Sequence, residues 1–491
     1  MSGGRERTGK DDPAPPSAAP PSPPGAPAPS RRPVVAALML AMALAALDGT
    51  IVSTVVPQIV GDLGGFSYFS WLFSGYFLAL TVTIPVYGKL SDTFGRKPVL
   101  LTGIALFLLG SALCAGAWDM ASLIAFRIVQ GLGGGAIQGT VQTVAGDLYP
   151  LKERPRIQAA LSTVWAASAV AGPAVGGVLA AYADWRWIFL INLPVGAVCV
   201  WLLARRFREP GRARGGRVRV DWPGALGVFT ACGLLLTGLV QGGVAWAWLS
   251  VPSLALFAGA AVAAGVTFGL ERRAADPVIP GWVWRRRTIA PVNVAMAALG
   301  LLMVAPTVFL PTYAQYALGL SPLAAGFVLS VMTLSWPVSA ALSQHVYRRV
   351  GFRQSALLGM GLAGLVLLAF PLWPPSSPWH AGALSFALGG ALGLFQLPLI
   401  VGVQSSVPWR ERGTATASVL FNRQLGQSVG ASLLGAIANA TFAGREASAV
   451  SGAVVRSAVG HVYLAAALAA GLALLALCAA PRRFPVDTSA D

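Results

Sequence analysis

Apolar residues gather into long runs separated by short polar gaps, and fourteen such runs follow one another between residues 34 and 480. A helix of about 20 apolar residues crosses the hydrocarbon core of a bilayer with all its backbone hydrogen bonds made internally. The runs fall near 34–56, 69–88, 97–117, 121–146, 157–181, 187–204, 222–241, 246–269, 289–313, 322–344, 354–374, 380–404, 413–440 and 460–480. The expected fold class is all-α integral membrane, with fourteen transmembrane helices. The first run has no small-residue cleavage pattern and is too long for a signal peptide, so it is expected to stay as helix 1.

The polar gaps alternate in charge. With the N-terminus in the cytoplasm, all but five of the 35 Lys and Arg residues fall in cytoplasmic tails and loops. Arg127 and Arg423 lie inside runs, while Arg186, Arg445 and Arg456 lie outside the cell. This is the positive-inside bias, densest from Arg205 to Arg219, and it predicts a multi-pass cell (plasma) membrane protein with cytoplasmic N- and C-termini.

Composition sharpens what this chain can be. Charged residues make up 11% and hydrophobic ones 55%, against roughly a quarter charged in a soluble globule. The net charge of +17 raises nucleic acid as a partner, but the basic residues are scattered over short loops with no interleaved aromatic platform, so a lipid-facing collar on the bilayer is the better account. Residues 13–33 are Pro, Ala and Ser with little apolar bulk, and are expected to be disordered or polyproline-like. Cys114, Cys199, Cys232 and Cys478 fall inside runs as small hydrophobes. His345, His380 and His461 are far apart, so no metal site is expected. With no nucleophile–base grouping and no phosphate loop, neither an enzyme, a cofactor nor ATP as an energy source is expected. Gly131 to Gly135 lies inside an apolar run and reads as close helix packing.

An internal repeat organises the runs. Gly95-Arg96-Lys97 recurs as Gly351-Phe352-Arg353, and Pro150-Leu151-Lys152-Glu153-Arg154 recurs as Pro408-Trp409-Arg410-Glu411-Arg412. The same offset carries helix 1 onto helix 9 and Gly172 onto Gly430. The expected organisation is a cytoplasmic tail (1–33), a six-helix bundle (34–206), a basic loop (207–221), two inserted helices (222–269), a linker (270–288), a second six-helix bundle (289–483) and a tail (484–491). Parallel six-helix repeats build a central site between two rocking bundles in one large class of transporters.

The segment Gly88-Lys89-Leu90-Ser91-Asp92-Thr93-Phe94-Gly95-Arg96-Lys97 resembles the loop 2–3 signature of the major facilitator superfamily. Four further stretches resemble its fourteen-helix drug:proton antiporter branch. They are Leu47-Asp48-Gly49-Thr50-Ile51-Val52 with Pro57, Arg127 with Gln130-Gly131, Gly172-Pro173-Ala174-Val175-Gly176-Gly177, and Trp185-Arg186-Trp187-Ile188-Phe189-Leu190-Ile191-Asn192-Leu193-Pro194. The resemblance, which covers about residues 34–480, implies the major facilitator fold and a secondary active transporter. Its substrates would be hydrophobic or amphipathic organic compounds such as drugs or antibiotics, exported in exchange for protons. A dedicated exporter of one endogenous metabolite or lipid, and a non-transporting receptor or scaffold, are the competing functions.

Asp48 is the only acidic residue deep inside a predicted run, where a carboxylate costs about 2.5–3.5 kcal/mol. At about 1.5 Å per residue, it lies about 12 Å below the outer end of helix 1 and Arg127 about 9 Å below that of helix 4. In the resembled fold these helices are neighbours, so an interacting, proton-coupling pair is expected; a permanently paired Asp48 and Arg127 that only fix packing is the plainer account. Gly88, Asp92, Gly95, Arg96 and Lys97 are expected to form a cytoplasmic gate, with Asp92 accepting from helix N-terminal amides or from Arg96. The second copy has Gln344 and Arg348 in place of Gly88 and Asp92, which makes the latch one-sided. Gly172, Pro173, Gly176 and Gly177 are expected to kink helix 5, and the resemblance implies that they seal the outer side. Gln138, Gln142, Trp165, Tyr313, Gln315, Phe421, Asn422, Arg423 and Gln424 are the candidates for a substrate cavity, because aromatic and amide groups suit a large amphipathic solute.

Overall fold

The computed structural model describes residues 32–64, 70–149, 153–207, 209, 221–242, 246–274, 277, 280–442 and 452–485. The expected tails up to residue 31 and from 486 onward, the basic loop at 208 and 210–220, Pro150 to Lys152 and Arg445 lie outside the described residues.

The apolar runs form helices α1 (Arg32–Leu63), α2 (Ser70–Phe94), α3 (Arg96–Ala115), α4 (Met120–Leu148) and α5 (Arg154–Tyr182). Helix α6 (Trp187–Arg206) is interrupted at Ile191, and α7 (Trp222–Gln241) and α8 (Val251–Glu271) follow. The second half holds α9 (Ile289–Tyr316), α10 (Pro322–Val350), α11 (Phe352–Leu372), α12 (Pro378–Ser405), α13 (Arg412–Phe442) and α14 (Gly452–Cys478). Among the described residues 12 helices are long and apolar enough to cross a membrane. Helix α13 falls outside that set although it is 31 residues long; its middle carries Asn422, Arg423, Gln424 and Gln427, which lowers its apolar content. Helix α9 contains a π-helical turn at Ala305–Phe309. Pro306 lies inside it and Pro311 two residues beyond it, and the missing amide hydrogens are what an α-helical ladder cannot absorb there.

Several ends differ from the sequence expectation. Helix α1 runs to Leu63 instead of 56, α8 begins at Val251 instead of 246, and α14 begins at Gly452 instead of 460. Where polar residues at the ends of α1 and α14 pack or reach the water layer, those helices no longer have to stop where hydropathy falls, whereas Pro252 in the first turn sets the later start of α8.

Packing separates the two halves. One buried apolar core draws only on residues 283–484. Two others draw on residues 34–207, with Ala417, Leu420 and Phe421 of α13 added to one of them. Helix α4 packs against α2 and α3, α1 against α5 and α6, α10 against α12, and α9 against α13 and α14. The close approach of α4 depends on missing side chains: a Cβ at Gly133 would reach the Gly103 carbonyl oxygen at 2.6 Å, and one at Gly135 the Leu80 carbonyl at 2.6 Å. The halves meet along α2–α13 and α5–α10, and α7 with α8 forms a hairpin against α2 and α13.

The repeat is visible in the backbone. Gly95 closes the α2–α3 turn at φ +102 and Gly351 closes the α10–α11 turn at φ +93, a left-handed conformation that favours glycine. Arg154 and Arg412, paired by the repeat, are the first residues of α5 and α13.

Candidate functional site

The first cluster is a buried polar network inside the first half. Asp48 Oδ2 and Arg127 Nη1 form an ion pair with both side chains almost wholly buried. Asp48 Oδ1 accepts from Gln130 Nε2 at 2.8 Å, and Gln130 Oε1 accepts from Arg127 Nη1 at 2.7 Å. Arg127 and Gln130 lie one turn apart on the same face of α4, so one helix presents both partners to α1. Arg127 Nε donates to the Leu72 carbonyl at 3.2 Å, and its guanidinium lies 4.2 Å from the Tyr76 ring centre. Its Nη2 is buried with no hydrogen-bond partner. Ser111 Oγ accepts from Gln130 Nε2 at 3.2 Å and from Asn192 Nδ2 at 2.9 Å, and donates to the Phe189 carbonyl at 3.0 Å. The 185–194 stretch is thereby tied to the ion pair. Its other end holds α1: Asp62 Oδ2 accepts from Trp185 Nε1 at 3.1 Å and from Arg186 Nη1 at 2.9 Å, and the Trp185 and Arg186 donors keep the exposed Asp62 carboxyl below the usual range.

Because α1 extends to Leu63, Asp48 sits about 22 Å from that end, not about 12 Å. It is near the middle of the helix. Equal depth below two helix ends therefore does not explain the pair; direct α1–α4 packing does.

The second cluster joins the halves at the end that carries the α2–α3 turn. Asp92 Oδ1 accepts from the Gly413 amide at 2.8 Å, and Oδ2 accepts from the Thr414 amide at 2.6 Å and from Thr414 Oγ1 at 2.7 Å. These amides open α13, where unpaired N–H groups and the helix dipole favour an anion. Arg96 pairs with Asp92, with Asp147 Oδ2 at 3.1 Å, and donates to the Trp409 carbonyl at 2.8 Å. Asp147 Oδ1 in turn pairs with Arg412 at 3.2 Å. A Cβ at Gly88 would collide with Ala417 and lie 3.0 Å from the Gly413 carbonyl oxygen. Lys97 turns away from the other half, donating from Nζ to the Ala204 carbonyl at 2.7 Å. Arg348, in the place of Asp92 in the second copy, is exposed. Trp409 to Arg412 entered the sequence reading only as part of the internal repeat, and Asp147, Gly413 and Thr414 did not enter it; Asp147 lies one residue beyond a predicted run, which was the available signal.

Between the halves lies a cavity of about 330 Å³. Gln138, Gln142, Trp165 and Arg423 line it, and so do Trp336 and Gln396, which sequence reasoning missed although Gln396 is a polar residue in mid-run. The other candidates lie elsewhere. Tyr313 is fully buried in the second core, donating to the Pro375 carbonyl at 2.8 Å and packing on Phe370 at 5.0 Å. The π-helical turn lies just ahead of it in α9, and the side chain faces the core of the second half. Gln315, beyond the same turn, and Gln424 are half-buried and are not among the cavity-lining residues. Phe421 and Asn422 border a separate crevice of about 30 Å³ with Pro85 and Trp284.

Helix α5 is held to α1 at Gly172, where a Cβ would meet the side chain of Thr50 and approach its Cβ to 2.7 Å. Thr50 Oγ1 lies 3.1 Å from the Ser168 carbonyl. Gly176 is buried, and the surroundings of positions 173 and 177 lie outside the described ones. Gly172→Ala is expected to displace Thr50 and destabilise the protein by about 1–3 kcal/mol, read as a lower midpoint of thermal unfolding in detergent; an unchanged midpoint would show that this contact is slack.

Comparison with known proteins bears on the family and the fold. Residues 38–431 match the profile of the Major Facilitator Superfamily. The chain is 34% identical over 408 residues to the multidrug transporter protein MdtP of Bacillus subtilis, covering 83% of this chain and 75% of that protein. It is 32% identical over 430 residues to multidrug resistance protein 3 of the same organism, covering 86% and 83%. It is 31% identical over 410 residues to the efflux pump dotC of Dothistroma septosporum, covering 81% and 69%. Among solved structures, the human organic anion transporter MFSD10 superposes with a TM-score of 0.65 at 15% identity, over 90% of this chain and 100% of that one. At that identity the likeness speaks for the fold alone.

Proposed function

Since this chain belongs to the major facilitator superfamily and is a multi-pass membrane transporter, we propose that it exports hydrophobic or amphipathic organic compounds, drugs and antibiotics among them, in exchange for protons. The reading places it in the cell membrane with both termini cytoplasmic. It takes 34–206 and 289–483 as the moving bundles and 222–269 as an insert. The relatives named as multidrug transporters and efflux pumps support the substrate class and the direction.

The observation that carries the coupling is the Asp48–Arg127–Gln130 network. Protonating Asp48 removes the anion that balances Arg127, so the ion pair and the α1–α4 contact weaken together. Helix α1 also places Met42 on the cavity wall and Thr50 against α5, so a change at Asp48 reaches both the substrate and the helix that meets α10. The Asp92 cluster, with Gly88, Gly95 and Arg96, acts as the cytoplasmic gate and is closed in this conformation; Gly172, Pro173, Gly176 and Gly177 shape the outer seal. Substrate and proton then compete for the bundle arrangement through their different affinities for its two states.

Reconstituted protein in liposomes with an imposed pH gradient is expected to move several lipophilic dyes, without ATP, and a protonophore is expected to stop that movement. Dye movement that ignores the pH gradient but follows a sodium gradient would reject proton coupling.

A further inference from the structure

Among the described residues, the cavity wall carries one charge, whose role the proton-coupling scheme does not use. Arg423 lines that wall from α13, and its Nε is buried with no hydrogen-bond partner among the described residues. The α13 backbone at this level is pinned against α9: a Cβ at Gly300 would collide with the Arg423 carbonyl oxygen and lie 2.7 Å from the Gln427 amide. The guanidinium is therefore presented by a fixed helix. Among the described residues no carboxylate pairs with it, and the acid of α1, Asp48, is already committed to Arg127 and Gln130.

The rest of the wall is aromatic and amide in character. Trp165 and Trp336 contribute flat apolar faces, and Gln138, Gln142 and Gln396 contribute neutral donors and acceptors. A half-buried guanidinium whose Nε is shut off from water and which has no counter-ion is costly unless a ligand supplies the anion. A cationic ligand in the same space would meet a like charge in a medium of low dielectric constant.

We infer that the cavity selects amphipathic aromatic anions, with the ligand's carboxylate or equivalent group paired to Arg423 and its ring system lying among Trp165 and Trp336. The inference rests on the export reading above and narrows its substrate class. Guanidinium–carboxylate pairing supplies two parallel charge-assisted hydrogen bonds, which a quaternary ammonium cannot form.

The test uses three probes with one aromatic body: pyrene-1-butyrate, its methyl ester, and 4-(1-pyrenyl)butyl trimethylammonium. Binding is measured by tryptophan quenching in phosphatidylcholine nanodiscs, with empty discs as the partition control. The carboxylate is expected to bind about tenfold or more tighter than the ammonium probe. In Arg423→Gln that preference is expected to vanish, with the ester unaffected, and Arg423→Lys is expected to keep most of it. Ammonium binding as tight as carboxylate binding by the unmodified protein would overturn the inference, as would full discrimination by monodisperse Arg423→Gln. Liposome transport separates this from the parent reading. Dyes moved under a pH gradient with no anion preference would sink the inference alone, whereas intact anion preference without gradient-driven movement of any dye would sink the export reading alone.

Discussion

Asp48→Asn is expected to abolish pH-gradient-driven transport while the cavity still binds ligand. An amide offers one acceptor oxygen where the carboxylate used two, so it keeps the contact with either Arg127 or Gln130, and it cannot take up and release a proton at this site. The variant leaves Arg127 without its counter-ion, and removing one member of a buried pair costs about 3–5 kcal/mol; part is recovered because Arg127 still donates to Gln130 and to the Leu72 carbonyl. Loss of transport could then reflect damage to the fold, so the decisive variant removes both charges. Replacing a buried ion pair by apolar residues of similar size is often neutral or stabilising, so Asp48→Leu with Arg127→Met is expected to recover the unfolding temperature lost in Asp48→Ala. Substrate-driven proton release, followed with a pH-sensitive dye in liposomes, is expected to stay at background in this double variant. Recovery of both stability and proton release would mean that the pair only fixes helix packing.

The second large effect is expected at the α2–α13 contact. Asp92→Asn removes the charge from an acceptor of three hydrogen bonds reaching Gly413 and Thr414, each worth about 1.5–3 kcal/mol when charge-assisted. Losing even one such contribution shifts the closed-to-open ratio at this end by about tenfold or more. Gly88→Val acts through sterics and is expected to go further, because its side chain would occupy the space taken by Ala417 and the Gly413 carbonyl. Spin labels at exposed Phe94 and Arg410 report the separation directly. Both variants are expected to populate a longer distance, Gly88→Val more fully, and labelled protein with an unchanged distance distribution would remove the gate assignment. Asp147→Asn offers a graded third point, since Asp147 joins Arg96 to Arg412 without touching the α13 amides.

Much of this molecule could be read from the linear chain, and the reasons differ by element. The helices were legible because a backbone in hydrocarbon must satisfy itself, which ties long apolar runs to one structure. Asp48 and Arg127 stood out because ionised groups in such runs are expensive, and Asp92 because a carboxylate next to a helix start has an evident partner. Tyr313 is a cavity candidate by residue type, but its ring packs in the core and its hydroxyl reaches the Pro375 carbonyl, a placement that residue type alone does not register. The contacts of Asp147 and Trp409 with Arg96 were not legible because each gains meaning only from a residue more than fifty positions away or from the opposite half.

Sequence alone determined that the chain is helical, that it spans a membrane many times, that its halves are related, and which side chains carry charge into the apolar interior. The tertiary structure decided which of those charges are neutralised by partners and which are left over. Asp48 is answered by Arg127, Asp92 by the start of α13, and Arg423 by nothing among the described residues. The physical reason is that a charge's cost belongs to its own position, whereas its compensation depends on distances of about 3 Å between helices whose relative placement is fixed by packing.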